Sequence, residues 1–347
     1  MSKRFRVLIV DDSLFMRAAI KKLLSKEPRL EVIGEAKDGR EAVDKVATLR
    51  PDVITMDFNM PVLDGAGAVR EIMRTHKTPV VMLSAHTRDG ARETFEALAA
   101  GAVDFVTKPT GEVSAEMTLV GPALIAKLLA AAESVPRAMP APVSLPPGEP
   151  RITMPRPVHG TAAGPRVVVV AISTGGPAAL GRFLPAIPAD TTVSLVIVQH
   201  LPAGFTAALA ERLDGICRVR VREAQSGDHP EPGLALVAPG DHHLEFSPDG
   251  HVMIVEGPEV NGVRPSADVT MRSAARVFGR RCVGVVMTGM GKDGTEGLRL
   301  IKAAGGATLA QDQDSCVIWG MPRAAVEAGC VDAVVGLDEL ADAIRKV

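Results

Sequence analysis

Between Val135 and Pro165 the chain reads VPRAMPAPVSLPPGEPRITMPRPVHGTAAGP, and no other stretch constrains the fold as strongly. Each proline fixes φ and removes a backbone donor, so this segment can neither continue a helix nor fill a central strand. It reads as a semi-extended linker. Each flank must then bury a core of its own, and two domains of roughly 130 and 180 residues are expected. The boundaries fall at 1–125 for the first domain, 126–165 for a helix end and the linker, and 166–347 for the second.

Both flanks have the material for a core, since 46% of the 347 residues are hydrophobic. The formal charge of -2 carries no electrostatic footprint for nucleic acid or an anionic membrane. Cys217, Cys282, Cys316 and Cys330 have no paired spacing, which argues against a disulfide framework or zinc site and fits a reducing cytoplasm. The opening MSKRFRVLIVDDS is not a signal peptide, and no apolar run approaches the roughly 20 residues that span a bilayer. The expectation is a soluble, cytoplasmic protein without membrane insertion.

Apolar runs alternate with helical patterns on both sides of the linker. FRVLIV, EVIGEA, DVITMD, PVVMLSA and VDFVTK each precede a helix-like stretch, the last reaching about Glu133. RVVVVAIS, TVSLVIVQH, RCVGVVMTG and GATLAQD repeat the theme in the second half. The class is α/β, with two doubly wound parallel sheets. GLALVAPG and HHLEFSPDGHVMIV read as antiparallel excursions, the second turning at Ser247-Pro248-Asp249-Gly250.

In open α/β sheets the carboxyl ends of the strands border the ligand crevice. In the first half those ends carry Asp11 and Asp12, then Asp57, Ser84 and Lys108. Three converging carboxylates repel one another, and Mg²⁺, a hard cation that keeps open coordination positions for phosphate oxygens, relieves this. Asp57 could attack a phosphoryl group, with Lys108 balancing the charge and Ser84 donating to the phosphoryl oxygens. Taken singly, Asp11 and Asp12 could equally cap the following helix.

The pieces VDDS, MDFNMP, LSA and DFVTKP resemble the receiver domain of two-component response regulators over about residues 4–125. The resemblance implies a flavodoxin-like sheet and phosphorylation of Asp57 by a histidine kinase. It also implies Mg²⁺ near Asp11, Asp12, Asp57 and the carbonyl of Asn59, and a mobile aromatic at Phe105. Asn59 stands where many relatives carry glutamate, a departure that bears on the lifetime of the phosphorylated state.

In the second half Ser173 and His200 end successive strands and Asp293 lies just past a third. These residue types suit acyl transfer: histidine takes the serine proton, aspartate fixes the imidazole, and backbone amides hold the oxyanion. Glycines after Ser173 and around Met290 leave amides open to an oxyanion. Alternatives stand beside each residue. STGGP at a helix start suits phosphate or a cap, Asp293 suits a turn, and Asp312 rivals it for the acid position. His229, His242, His243 and His251 are spaced too irregularly for a metal site and fit an exposed hairpin better.

AISTGGP, VIVQHLP, APGDHHLEF, RPSADVTMRSAA, GVVMTGMGKDG and AQDQDSCVIWGMPRAA follow in order across residues 166–345. With the receiver-like half, they resemble the bacterial chemotaxis protein-glutamate methylesterases. The resemblance implies a Rossmann-like α/β domain with an antiparallel hairpin. It puts the nucleophile on Ser173, the base on His200, the acid on Asp293 rather than Asp312, and an oxyanion donor on the Met290 amide. It implies that phosphorylation uncovers the cleft, that glutamate γ-methyl esters on chemoreceptors are hydrolysed to release methanol, that receptor glutamines are deamidated, and that the ester chemistry needs no cofactor. Leu201 replaces a methionine common among relatives, a volume-conserving change. The competing classes are a receiver-controlled phosphate- or nucleotide-binding module and a non-catalytic receptor-binding module.

Overall fold

The structure is a computed structural model and describes residues 3–85, 87–108, 113–134 and 164–347. The expected linker lies almost wholly outside the described residues. The chain divides into two compact units, Met1–Ala141 and Pro142–Val347.

The first unit runs β1 (Phe5–Val10), α1 (Leu14–Leu24), β2 (Leu30–Ala36), α2 (Gly39–Leu49), β3 (Val53–Asp57), α3 (Gly65–Thr75), β4 (Val80–Ser84), α4 (Arg88–Ala100), β5 (Asp104–Thr107) and α5 (Val113–Glu133). The strands are all parallel, in the order β2-β1-β3-β4-β5. Every residue of β3 and β4 is buried, as continuous apolar runs require when helices cover both faces. Asp38 and Asp64 cap α2 and α3 by accepting from Glu41 N and Gly67 N. Ser13, rather than Asp11 or Asp12, caps α1. The strand order reverses between β1 and β3, so the switch-point crevice opens where Asp11, Asp12 and Asp57 leave the sheet.

The second unit runs β6 (Arg166–Ile172), α6 (Gly176–Phe183), β7 (Val193–Gln199), α7 (Phe205–Asp214), β8 (Arg220–Glu223), β9 (Leu234–Val237), β10 (His243–Phe246), β11 (Val252–Val255) and α8 (Ala267–Phe278). It continues through β12 (Cys282–Val286), α9 (Thr295–Ala303), β13 (Ala307–Gln311), α10 (Met321–Glu327), β14 (Ala333–Val335) and α11 (Leu340–Lys346). Seven parallel strands form the sheet β14-β13-β12-β6-β7-β9-β8. The switch point lies between β6 and β12, whose following segments carry Ser173 and Asp293.

One expectation is corrected here. GLALVAPG is not an antiparallel excursion, because β9 pairs parallel with both β7 and β8. All four of its residues are buried, and that uninterrupted apolar run marks an interior parallel strand. The edge strands β8 and β14 carry little sequence signal because they are short and partly exposed.

The expected hairpin is present as the antiparallel pair β10–β11, with Gly250 at φ 90° in its turn. Its inner residues Leu244, Phe246 and Val252 pack on α8, where Phe246 meets Phe278 edge to face at 4.9 Å. Thr270 Oγ1 donates to Leu244 O at 2.7 Å, and Phe246 N donates to Ser273 Oγ at 3.0 Å. Apolar contact and these bonds set the position of α8, and through it the surroundings of Asp293. Among the described residues no helix is long and apolar enough to cross a membrane.

Candidate active site

In the first unit, Asp11, Asp12 and Asp57 each place a carboxylate oxygen within 4.8 Å of the others. Lys108 reaches into this cluster from the end of β5, with Nζ 2.9 Å from Asp11 Oδ2 and 2.8 Å from Asp57 Oδ1. Phe58 N also donates to Asp57 Oδ1 at 2.8 Å, so both contacts fall on the same oxygen. Burial raises the Asp57 pKa; Lys108 opposes this and the nearby Asp11 charge adds to it. For Lys108, burial works against its charge, and Asp57 and Asp11 outweigh that and raise its pKa. An all-oxygen donor set whose carboxylates are ion-paired, among the described residues, only with Lys108 suits a hard divalent ion such as Mg²⁺.

The other expected residues of this site are placed as follows. Ser84 is buried at the end of β4 and turns toward α4, donating to Gly90 O at 2.9 Å and accepting from Thr94 Oγ1 at 2.6 Å. Phe105 is buried in β5, with Lys127 Nζ 5.3 Å from its ring centre. The exposed Asn59 donates from Nδ2 to Glu93 Oε2 of α4 at 3.0 Å.

In the second unit, Ile172 pairs with Gln199 in the register of β6 and β7. The next residues, Ser173 and His200, therefore leave adjoining strands at the same level. Ser173 N donates to Thr288 O at 3.0 Å, tying the serine to the segment that follows β12. Gln199 Nε2 and Gly176 N both donate to Ser173 O, at 3.0 and 2.8 Å. The N-cap of α6 is Gly175, in the left-handed region at φ 78°, with no side-chain cap. Ser173 is thus not engaged as a helix cap.

His200 Nε2 donates to Asp293 Oδ2 at 2.8 Å. Nδ1 is then the ring nitrogen left to act as a base. Asp293 accepts four further bonds: Ala267 N at 2.6 Å on Oδ2, and on Oδ1 Ser266 Oγ at 2.6 Å, Asn261 Nδ2 at 3.0 Å and Asp268 N at 3.3 Å. Two of these donors are the first amides of α8, so the carboxylate caps that helix from another segment. Burial works against its ionisation, yet His200, Ser266 and Ala267 outweigh it and hold the Asp293 pKa at about 2. A carboxylate so held stays charged and keeps the imidazole in one tautomer.

The segment bearing Met290 closes on the serine. A Cβ on Gly289 would lie 2.7 Å from Ser173 Cβ, so only glycine lets that backbone come so near. The Met290 N–H has no hydrogen-bond partner among the described residues, while Gly289 N and O are bound to Ile318 O and to Gly320 and Met321 amides. Asp312 serves a turn instead, accepting from Ser315 N at 3.0 Å and from the Ser315 hydroxyl. His243, expected on an exposed hairpin, is buried: its Nδ1 accepts from Ser266 N at 3.1 Å and Nε2 donates to Pro258 O at 2.9 Å.

Asn261, Ser266 and Asp268 went unremarked in the sequence although all three bear on Asp293. The Asn-Gly pair at 261–262 is a two-residue turn signal, and Val260 and Val263 do exchange both backbone hydrogen bonds at 3.2 Å across it. Nothing in the sequence tells where that turn points.

Two parallel α/β units, one with an acidic pocket beside a lysine and one with a serine, a histidine–aspartate pair and an open amide, define a receiver-linked hydrolase. Residues 168–344 match the family described as CheB methylesterase, and residues 7–117 match the response regulator receiver domain. The chain belongs to the CheB methylesterase family. It is 46% identical to the protein-glutamate methylesterase/protein-glutamine glutaminase of Symbiobacterium thermophilum, over 98% of this chain and 96% of that one. The enzyme of the same name from Pyrococcus horikoshii is 44% identical over 100% of this chain and 94% of its own. Among solved structures, the CheB methylesterase catalytic domain of Thermotoga maritima superposes with a TM-score of 0.51 at 38% identity, over 53% of this chain and all of that one.

Proposed function

We propose that this chain hydrolyses glutamate γ-methyl esters on the cytoplasmic part of chemoreceptors, and deamidates receptor glutamines, under control of phosphorylation at Asp57. The observation that carries the chemistry is the 2.8 Å bond from His200 Nε2 to an Asp293 held ionised by five donors. Ser173 Oγ attacks the ester carbonyl and His200 Nδ1 takes its proton. The developing oxyanion accepts from the Met290 N–H. Methanol leaves with the proton from His200, or ammonia leaves when the substrate is a glutamine. Water then attacks the glutamyl-serine ester, His200 again moves the proton, and free glutamate and Ser173 are released. No cofactor enters these steps.

Asp57 is the phosphoryl acceptor, supplied by a histidine kinase. Asp11, Asp12, Asp57 and the Asn59 carbonyl would hold Mg²⁺, which would neutralise charge on the incoming phosphoryl group. Lys108 shares that task, and Ser84 would turn from Gly90 O to the phosphoryl oxygens. Phe105 would change its packing on phosphorylation. The protein works in the cytoplasm, beside receptors and kinase, and takes no nucleic acid. The DNA-free charge balance and the family membership leave no support for a nucleotide-binding or non-catalytic reading.

Methanol release from methylated receptors, with and without a small phosphodonor, tests this reading. The donor should stimulate release by the intact chain, and Ser173→Ala should reduce it by about 10³- to 10⁶-fold. Near-normal release by Ser173→Ala would sink the proposal.

A further inference from the structure

We propose that Asn261 is a positioning residue for Asp293, holding two buried carboxylates apart so that one of them can serve His200. The inference rests on the reading of Asp293 as the acid of the triad. Asp268, in the first turn of α8, is buried beside Asp293, and burial together with the Asp293 charge raises its pKa, against a bond from Gly297 N. Two like charges this close favour sharing a proton, which would deprive His200 of a fully charged partner. Asn261 stands between them. Its Nδ2 donates to Asp268 Oδ2 at 2.7 Å and to Asp293 Oδ1 at 3.0 Å, using both amide hydrogens.

The backbone delivers this amide by an unusual route. Asn261 sits at φ 58° and Gly262 at φ 75°, the pair of left-handed residues that a two-residue turn requires. Asparagine is common at such a position because it tolerates that conformation, and a turn former alone would need no partners. Here the side chain instead spends both donors on two acids from separate segments. The rest of the surroundings is already committed: Gly297 N donates to Asp268 Oδ1 at 2.7 Å, Ser266 and α8 amides bond to Asp293, and His243 holds Ser266 N. No other side-chain donor bridges the two carboxylates among the described residues.

The left-handed backbone supplies a clean test in the full-length protein. Asn261→Gly keeps a turn that glycine adopts without strain and removes only the amide. It should lower kcat for methanol release about ten- to a hundredfold while KM stays within about twofold, because the amide touches Asp293 and not the receptor. Removing the donor the two carboxylates share raises the pH at which the pair takes up a proton and loses full charge, so the acid limb of kcat/KM should move to higher pH. The double variant Asn261→Gly, Asp268→Asn should move that limb back, since the second charge is gone. A purely structural turn residue predicts none of these changes.

Wild-type kcat and pH profile in Asn261→Gly, with Ser173→Ala and Asp293→Ala both inactive, would overturn this inference and leave the triad standing. Activity surviving in Ser173→Ala and Asp293→Ala would instead overturn the triad. An acid limb that stays at its Asn261→Gly position in the double variant would show that Asn261 does not act by separating charge.

Discussion

Asp57 and Asp293 are both buried aspartates at the mouth of a parallel sheet, and they titrate in opposite directions. Asp57 has a raised pKa, because burial outweighs the help of Lys108 and the Asp11 charge adds to it. Asp293 is held at about 2, because His200, Ser266 and the Ala267 amide outweigh its burial. Burial alone therefore does not decide the charge state of such a group; the donors that face it do. The first site is left short of positive charge, which suits a pocket that must accept a cation and then a phosphoryl group. The second is complete in itself, which suits a carboxylate that must stay ionised through every turnover.

Asp293→Asn presses hardest on this contrast. It should reduce methanol release about 10⁴-fold, since the histidine loses the partner that fixes its tautomer. The same substitution should alter acid stability. A folded pKa of about 2 against an ordinary 3.8 stabilises the fold above about pH 4, and that contribution disappears as pH falls toward 2. It amounts to about 2 kcal/mol, and urea unfolding across that range should show it in the wild type and not in Asp293→Asn. If both proteins lose stability in parallel, Asp293 is not the group held down.

Asp57→Asn should abolish stimulation by phosphodonor and leave basal activity in place. Its effect on stability should have the opposite sign to that of Asp293→Asn. An acid whose pKa is raised on folding opposes the fold at neutral pH, so removing its charge should raise the melting temperature of the first unit in the absence of Mg²⁺. Addition of Mg²⁺ should raise the melting temperature of the wild type and have little effect on the variant. A variant that melts lower without Mg²⁺ would mean that Lys108 already satisfies the cluster.

A smaller effect is expected from Gly176→Ala. A Cβ there would lie 1.9 Å from Gln199 Oε1, the amide whose Nε2 anchors the Ser173 carbonyl. Displacing that buried side chain should cost about 1 to 3 kcal/mol and reduce kcat without abolishing it. Full activity with unchanged stability would show that the Gln199 anchor is dispensable.

The strand ends were legible because parallel strands advertise themselves as unbroken apolar runs, and the polar residue that ends each run must face the crevice. Ser173, His200, Asp57 and Lys108 all follow from that rule. GLALVAPG is such an unbroken run too, and its reading as an antiparallel excursion fails because β9 pairs parallel with β7 and β8. Asn261, Ser266 and Asp268 escaped because none lies at a strand end. They reach Asp293 only after β10 and β11 have packed on α8, through contacts such as Phe246 on Phe278. The side chains of Ser84 and Asn59 were equally beyond sequence reasoning, since their partners Thr94 and Glu93 lie on a helix whose facing side is set by packing.

By itself the sequence determined two independent α/β cores and the residue types that stand at their crevices, because periodicity and proline content act locally along the chain. The tertiary structure alone decided which groups share a hydrogen bond, and hence that His200 offers Nδ1 and that Asp293 stays charged. Those outcomes depend on distances between segments far apart in sequence, and only the packing of α8 against the sheet and hairpin sets them.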